Sequence, residues 1–384
     1  MIKDYDYIIT GMGAAGLMVA YNMSNDSFFD SKTILLIDKS IKDVNDRTWC
    51  FWHNDHNEVE DLVSKRWDII GFKGKEFDKD FSISPFDYKH INSLDLYKKI
   101  IEVISGKDNF SMITSSVTSI TDRGNQVIVQ ADQEAYTATK VFNSVIFDFN
   151  FKNDRNYPLL HQHFVGWFVE TQTDQFDDKV ADFMDFSVPQ LGNTRFMYVL
   201  PFTKRKALIE YTLFSKDLLK REEYDRAIED YLKKKGITDY EVVDTESGCI
   251  PMTCYPFWKK NSKNILHIGT AGGWTKASTG FTFSSILRKT DRLILHIKSG
   301  KSLNSFHHVT KYWFYDLLFL DFLSQNNERG KEIFTRMFKS NEPEKILRFL
   351  DEETTFLEEV KIMSSMPRLK FTKLFFKRLF KHLF

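Results

Sequence analysis

Two glycine-rich turns and one carboxylate carry the first recognisable chemistry in this chain. Gly11-Met-Gly-Ala-Ala-Gly16 follows an aromatic, β-branched run, Tyr5–Thr10, and precedes a run of helical character, Leu17–Met23. Gly11 permits a tight turn, Gly13 lets backbone amides approach a pyrophosphate, and Gly16 lets a helix pack close to the strand. Free N–H groups and the helix dipole favour an anion at that helix start, so Ala14 and Ala15 are counted with the site. A second apolar run, Thr33–Ile37, ends on Asp38 and Lys39. Asp38 stands about twenty residues past Gly16, where an acid binds the hydroxyls of an unphosphorylated ribose. The pattern therefore points to FAD or NAD rather than NADP.

A second element has the same logic. Asn264–Gly269 reads as a strand, and Thr270, Ala271, Gly272, Gly273 and Gly280 form a glycine-rich turn ahead of a helical run from about Phe283. Two anion-cradling turns in one chain suit a long extended cofactor, which favours FAD over NAD. Between them, Asn45-Asp-Arg-Thr-Trp-Cys-Phe-Trp52 shows no helical or strand period. It reads either as a buried aromatic loop or as a pocket wall of Trp49, Phe51 and Trp52 with Arg47 near cofactor phosphates.

These groups need a scaffold. A chain of 384 residues is suited to two or three interleaved domains. The expected class is α/β (α+β). Residues 1–150 and 262–300 form a discontinuous Rossmann-like domain, with Leu94–Ile104 as a helix and Ser111–Ile120, Gln126–Ala131 and Val141–Phe149 as strands. Residues 151–261 form an antiparallel substrate sheet from His161–Glu170, Arg195–Leu200, Lys206–Phe214 and Tyr240–Thr245, with a charged helix within 215–235. Residues 301–384 are helical. Net charge is zero, so no global field points to nucleic acid. With 36 Phe, 15 Tyr and 7 Trp, the chain carries enough flat apolar surface for a large hydrophobic ligand, although aromatic cores use such residues too. Cys50, Cys249 and Cys254 make neither a disulfide framework nor a metal spacing, which suggests a reducing compartment. No metal is expected: His161, His163, His307 and His308 lack acid or cysteine partners at ligand spacing. The N-terminus lacks the order of a signal peptide.

The tail differs from the rest. Arg368–Phe384 contains Lys and Arg but no acid. On a helical wheel Phe375, Phe376, Leu379, Phe380, Leu383 and Phe384 share a face, with Lys370, Lys377 and Lys381 opposite and Arg378 nearby. That is the pattern of an interfacial anchor, while a terminal helix packed on the protein is the alternative.

The Asn45–Trp52 block, Met184-Asp-Phe186, Arg195–Pro201, Leu208-Ile-Glu-Tyr-Thr212, Gly248–Met252 and Gly269–Phe283 together resemble the bacterial lycopene β-cyclase family over most of the chain. The resemblance implies an FAD-binding fold and cyclisation of the open ends of lycopene, usually to β-rings. It also implies association with the membrane that holds the carotene, expected as peripheral attachment at its cytoplasmic face. Because cyclisation exchanges no electrons overall, the flavin is expected to act as FADH⁻, reduced by NAD(P)H, its negative charge stabilising the cations. Glu210 occupies the place of the family's essential acid, as the acid that protonates the alkene or the base that removes the ring proton. Tyr198 and Tyr211 of the same strand blocks are then substrate-pocket residues. Plant relatives carry two adjacent acids there, and here Tyr211 follows Glu210. Phe356-Leu-Glu-Glu359 spells the plant-like tetrad in the helical region, where Glu358 and Glu359 read as a solvated face. Thr270 stands where most flavoprotein hydroxylases have an acid. The rivals are a redox flavoenzyme acting on an isoprenoid, and a carotenoid carrier that keeps FAD as a relic.

Overall fold

The computed structural model describes residues 3–54 and 58–383, without the side chains of 381–383. Phe384, and the side chains of Lys381 and Leu383, therefore lie outside the described residues. Strand β1 (Lys3–Thr10) passes through the first glycine turn into α1 (Ala14–Ser24), and β2 (Ile34–Asp38) ends on the expected acid. The tryptophan-rich block is a strand, β3 (Thr48–His53), rather than an aperiodic loop. Then come β4 (Lys65–Trp67), β5 (Ile69–Lys73), β6 (Lys79–Ser82), β7 (Asp87–Asn92) and α2 (Ser93–Ser105). The run expected as one strand over 111–120 is two, β8 (Phe110–Thr114) and β9 (Val117–Asp122). The Asp132 carboxylate takes hydrogen bonds from Ser115 Oγ and the Ser116 amide and bends the chain between them. After β10 (Val127–Ala131), β11 (Glu134–Asn143) stops earlier than expected. The Asn143 side chain bonds both the N–H and the C=O of Val145 and turns the chain out of the sheet.

The second half begins with β12 (Leu160–Thr171), β13 (Val180–Asp185), β14 (Thr194–Pro201) and β15 (Lys206–Ser215). Next are α3 (Arg221–Lys234) and β16 (Tyr240–Met252), the latter running seven residues beyond the expected Thr245. Then β17 (Ile265–His267) leads through the second glycine turn to α4 (Phe283–Lys298). Helices α5 (Lys311–Gln325), α6 (Gly330–Ser340), α7 (Pro343–Leu350), α8 (Phe356–Ser364) and α9 (Arg368–Leu383) complete the chain.

The first sheet has the order β8-β2-β1-β11-β10-β9, with β17 also on β11. Its β8, β2, β1, β11 and β17 run parallel. Alternation decides its two faces: Ile9, Leu36 and Phe142 pack with α1, α2 and α4, while Ile8, Leu35 and Val141 pack with residues of β10. The second sheet has the order β16-β12-β15-β14-β13-β5-β6. It is mixed rather than antiparallel, because β5 joins β13 in parallel and brings β6 with it. Ile70 and Phe72 of β5 are fully buried where it joins that sheet. The small antiparallel sheet β3-β7-β4 stitches the two halves: Phe51 enters the core of the first, and Trp52 that of the second.

One face of the second sheet, carrying Val165, Trp167, Ile209 and Tyr211, packs on α3. The other face is covered by α5–α9 and encloses the cavity described below. Lys276, in the second glycine turn, pairs with Asp316 at 3.1 Å and Glu352 at 3.2 Å, tying that turn to the helical region. Among the described residues no helix is long and apolar enough to cross a membrane.

Candidate functional site

The dinucleotide end is built by glycines doing three different jobs. Gly11 holds φ +89°, and a Cβ there would come within 2.1 Å of Ser144 Oγ. A Cβ on Gly16 would lie 1.9 Å from the Gly11 carbonyl, so the close approach of helix to turn requires glycine. A Cβ on Gly13 would meet nothing within 4 Å, which leaves open space at the α1 N-terminus, where Ala14 and Ala15 follow. Asp38 Oδ2 accepts the Met12 amide at 2.6 Å, and Lys42 sits 3.3 Å from Oδ1. Burial raises the Asp38 carboxyl, but the Met12 and Ser40 amides and Lys42 outweigh it and hold it below the usual range. Lys39 is exposed beside it. The second turn abuts the first: Gly269 holds φ +58°, with the Ala15 methyl 3.0 Å from where its Cβ would be. Ala271 and Gly272 are buried, and Gly273 and Gly280 take positive φ. The structure thus brings both glycine turns together, and Arg47, Thr270 and Gly280 line one cavity beside them.

That cavity has a volume of about 1150 Å³, above the usual range for small-ligand pockets. Its floor is the inner face of the second sheet, laid out in rows by strand register. One row reads Tyr198, Glu210, Gly166, Glu246 across β14, β15, β12 and β16. The row beside it reads Phe196, Thr212, Phe164, Gly248. A Cβ on Gly248 would stand 2.3 Å from the Phe164 ring, so that glycine lets the ring lie flat across the edge strand. Glu210 is buried, accepts the Thr212 hydroxyl at 2.5 Å, and shares a hydrogen bond with Glu246. Glu246 in turn accepts the Thr48 hydroxyl at 2.5 Å. Burial first, and then the Glu246 carboxyl, push Glu210 well above the usual carboxylate range, which favours its protonated form. Burial raises Glu246 too, against the hydrogen bonds from Thr48 and Glu210. Nearby, Tyr88 and Tyr198 join their hydroxyls at 2.5 Å, and burial pushes the Cys50 thiol up to about 12.

Several expected pocket residues lie elsewhere. Trp49 and Tyr198 line the cavity, but Phe51 and Trp52 are core residues, packed on Phe283 and on Tyr88 with Phe281. Tyr211 follows Glu210 on the strand and so points to the opposite face. There it packs on Tyr224 of α3 and takes a hydrogen bond from Arg195 at 3.2 Å. Glu359 is not solvated: Lys311, Tyr312 and Tyr315 surround it, while Glu358 closes a capping box with Thr355. His163 is held between Tyr224 and Ser215, and burial lowers it to about 4.

Glu246 was missed because the expected strand ended at Thr245, and Gly166, inside the expected His161–Glu170 strand, because its meaning depends on the strands on either side. The alternation Glu246, Gly248, Ile250 was the available signal, as was a glycine inside the apolar run of β12, since strand glycines mark close approach.

The cavity reaches the surface at α8 and α9, where Val360, Phe375 and Phe376 line it and are themselves 41–50% exposed. Arg378 is not on the polar face of α9. It is buried in a bidentate pair with Asp321 at 2.5 and 2.6 Å. With Leu374 also inward, the helix keeps its arginine inside and turns Phe375, Phe376, Leu379 and Phe380 out.

A family model described as "Lycopene cyclase protein" matches residues 6–374. The chain belongs to the lycopene cyclase family. It is 23% identical to a lycopene beta-cyclase from Pantoea ananas over 96% of both chains. It is also 32% identical to one from Paracoccus sp. over a segment covering about a third of each chain, 33% and 34%. Among solved structures, a geranylgeranyl bacteriochlorophyll reductase-like protein from Thermoplasma acidophilum is similar with TM-score 0.62 and 10% identity, covering 97% of this chain and 99% of that one. A flavin-dependent brominase gives 0.60 and 13%, covering 94% and 93%. A halogenase, PltM, solved with phloroglucinol and FAD, gives 0.57 and 12%, covering 96% and 85%. The family member therefore has the FAD-binding fold of flavoproteins.

Proposed function

We propose that the chain is an FAD-dependent lycopene β-cyclase that closes the acyclic ends of lycopene into β-rings, giving γ- and β-carotene with no net redox change. The observation that carries this reading is Glu210, a buried carboxyl facing Glu246 on the floor of an aromatic cavity that also meets the second glycine turn, where burial favours its protonated form. Lycopene offers no hydrogen-bond partner, so its binding rests on apolar area at about 25 cal/mol per Å². Phe183, Phe196, Phe214, Phe334 and Phe338 supply such area along the cavity.

The residues present fit FAD. The open α1 N-terminus at Gly13 suits the pyrophosphate, the Asp38 carboxylate the ribose, and Gly269–Gly273 the second anion-cradling turn. When bound and reduced by NAD(P)H, FADH⁻ would supply negative charge beside the reacting end. Glu210 donates its proton to the terminal double bond. The next double bond attacks the tertiary cation, and a ring proton leaves to a carboxylate. Trp49 and Tyr198 present aromatic faces to the cationic stage. Trp52, buried in the core, does not take part.

The outward Phe375, Phe376, Leu379 and Phe380, with exposed Lys373 and Lys377 beside them, support peripheral docking of α9 on the cytoplasmic face of an anionic bilayer. The cavity mouth would then face the lipid that dissolves a hydrocarbon substrate. Replacing Phe375 and Phe376 by Ser should cut co-sedimentation with anionic vesicles roughly tenfold or more; unchanged binding would contradict the docking.

Expression in a host that accumulates lycopene tests the reaction. A cyclic product of unchanged mass is expected. Persistent lycopene beside a flavin-loaded protein would overturn the substrate, and a product of altered mass would favour a reductase or monooxygenase.

A further inference from the structure

We propose that Glu246 is the proton partner of Glu210, the two carboxyls working as one site across the gap left by Gly166. This inference rests on the cyclase reading. Strand register sets Gly166 directly between Glu210 on β15 and Glu246 on β16. A Cβ on Gly166 would stand 3.2 Å from Glu246 Cγ, 3.4 Å from Glu210 Cβ and 2.8 Å from a Leu208 methyl. Glycine is therefore what allows the two carboxyls to meet over the middle strand. Their outer sides are held by Thr212 and Thr48.

The other charged and titratable groups around the pair come from each neighbouring element. Arg47 and Cys50 belong to β3 and the residue before it, Tyr88 to β7, Tyr198 to β14, and Asp244 to the same strand as Glu246. Arg47 is the positive one. It favours the charged form of Glu246, while Asp244 opposes it. Glu210 is pushed up further than Glu246, so of the two Glu246 is the better placed to hold the charge and Glu210 the proton.

The cycle balances within the pair. The Glu210 O–H bond breaks and a C–H bond forms from the π electrons of the terminal double bond, leaving a tertiary cation. The second double bond closes the ring. A ring C–H bond then breaks, its electrons make the ring double bond, and the proton returns to the pair. Between those events two carboxylates face one another beside a cation. Their charge stabilises the cation, and their mutual repulsion makes the pair a stronger base for the ring proton. A single carboxyl would be a poorer proton acceptor at that stage. Glu246 acts through Glu210 and is a positioning residue.

The test is the rate of cyclisation against pH, using the full chain with reduced FAD and lycopene in vesicles. Glu246→Gln should keep flavin content and melting temperature, fall roughly tenfold or more at alkaline pH, and shift the high-pH limb to lower pH by about one unit or more. Glu246→Asp, which keeps a carboxylate, should bring the limb back toward the wild-type position. A Glu246→Gln rate that falls equally at all pH values, with the limb unmoved, would overturn the proposal, as would an Asp variant whose limb coincides with that of Gln. If the Gln variant does not fold, carbonyl-region infrared spectra of wild type and Glu210→Gln decide instead. One carboxyl still protonated above the usual carboxylate range, lost in the variant, supports the pair, and none overturns it. Failure of the wild-type protein to cyclise lycopene would sink the cyclase reading itself, an outcome distinct from an unmoved limb in an active enzyme.

Discussion

Glu210 and Glu359 are both buried, yet their surroundings assign them opposite charge states. Glu210 faces a second carboxyl and a threonine hydroxyl, and burial with the Glu246 charge holds its proton on. At Glu359 burial also raises the carboxyl, but Lys311, Tyr312 and Tyr315 aim donors at it and bring it below its usual range. Burial alone therefore does not make an acid; the polarity of the nearest partners does. The local text would mislead, because the Glu359 segment is the one that spells a plant-like tetrad. Its four residues sit on α8, where Glu358 caps the helix and Glu359 pins α5 to it.

The largest expected effect separates the two by activity. Glu210→Gln should cost roughly three or more orders of magnitude in cyclisation rate while leaving bound flavin unchanged. Glu359→Gln should leave the reaction pathway intact, and pigment analysis of both variants checks this. Arg378→Met should destabilise by about 3–5 kcal/mol, because it strands Asp321 as a buried unpaired charge; urea unfolding reads it. Glu359→Gln should cost about 1–3 kcal/mol at neutral pH by the same measurement.

The smallest effect is also the sharpest, since its sign differs between the two glutamates. The folded pKa of Glu359 is depressed, so its contribution is present above the unfolded carboxyl value and lost as pH falls through the folded one. Glu210 is raised, so the unfolded chain releases this proton first, and stability declines as pH rises from the unfolded value toward the folded one. Melting curves against pH should therefore show Glu210→Gln gaining on wild type as pH rises above about 4.5, whereas Glu359→Gln loses ground below that value, as pH rises from the folded to the unfolded pKa of Glu359, and holds a constant deficit above it. Parallel curves would break the contrast.

The sequence carried the local parts of this account well. The glycine turns, Asp38 and the strand bearing Glu210 are set by short-range pattern, and the structure keeps them. What it hid were relations across long separations. Gly166 gains its meaning only between β15 and β16, Glu246 only once β16 is extended past Thr245, and Arg378 only against Asp321. Tyr211 and Phe51 were assigned to the pocket from their neighbours in text, whereas strand alternation sends Tyr211 to the opposite face, and Phe51, on the same side of β3 as Trp49, is buried in the core of the first half. Adding β5 and β6 to the second sheet needed a crossover that no local period announces.

The most direct test of the central claim is a single-turnover reaction of purified protein, chemically reduced FAD and lycopene in vesicles, followed by chromatography and mass spectrometry. Wild type should give a cyclic product of the same mass as lycopene, and Glu210→Gln, equally loaded with flavin, should give none. Cyclic product from the variant at the wild-type rate, or a product heavier or lighter than lycopene from the wild type, would contradict proton-initiated cyclisation at Glu210.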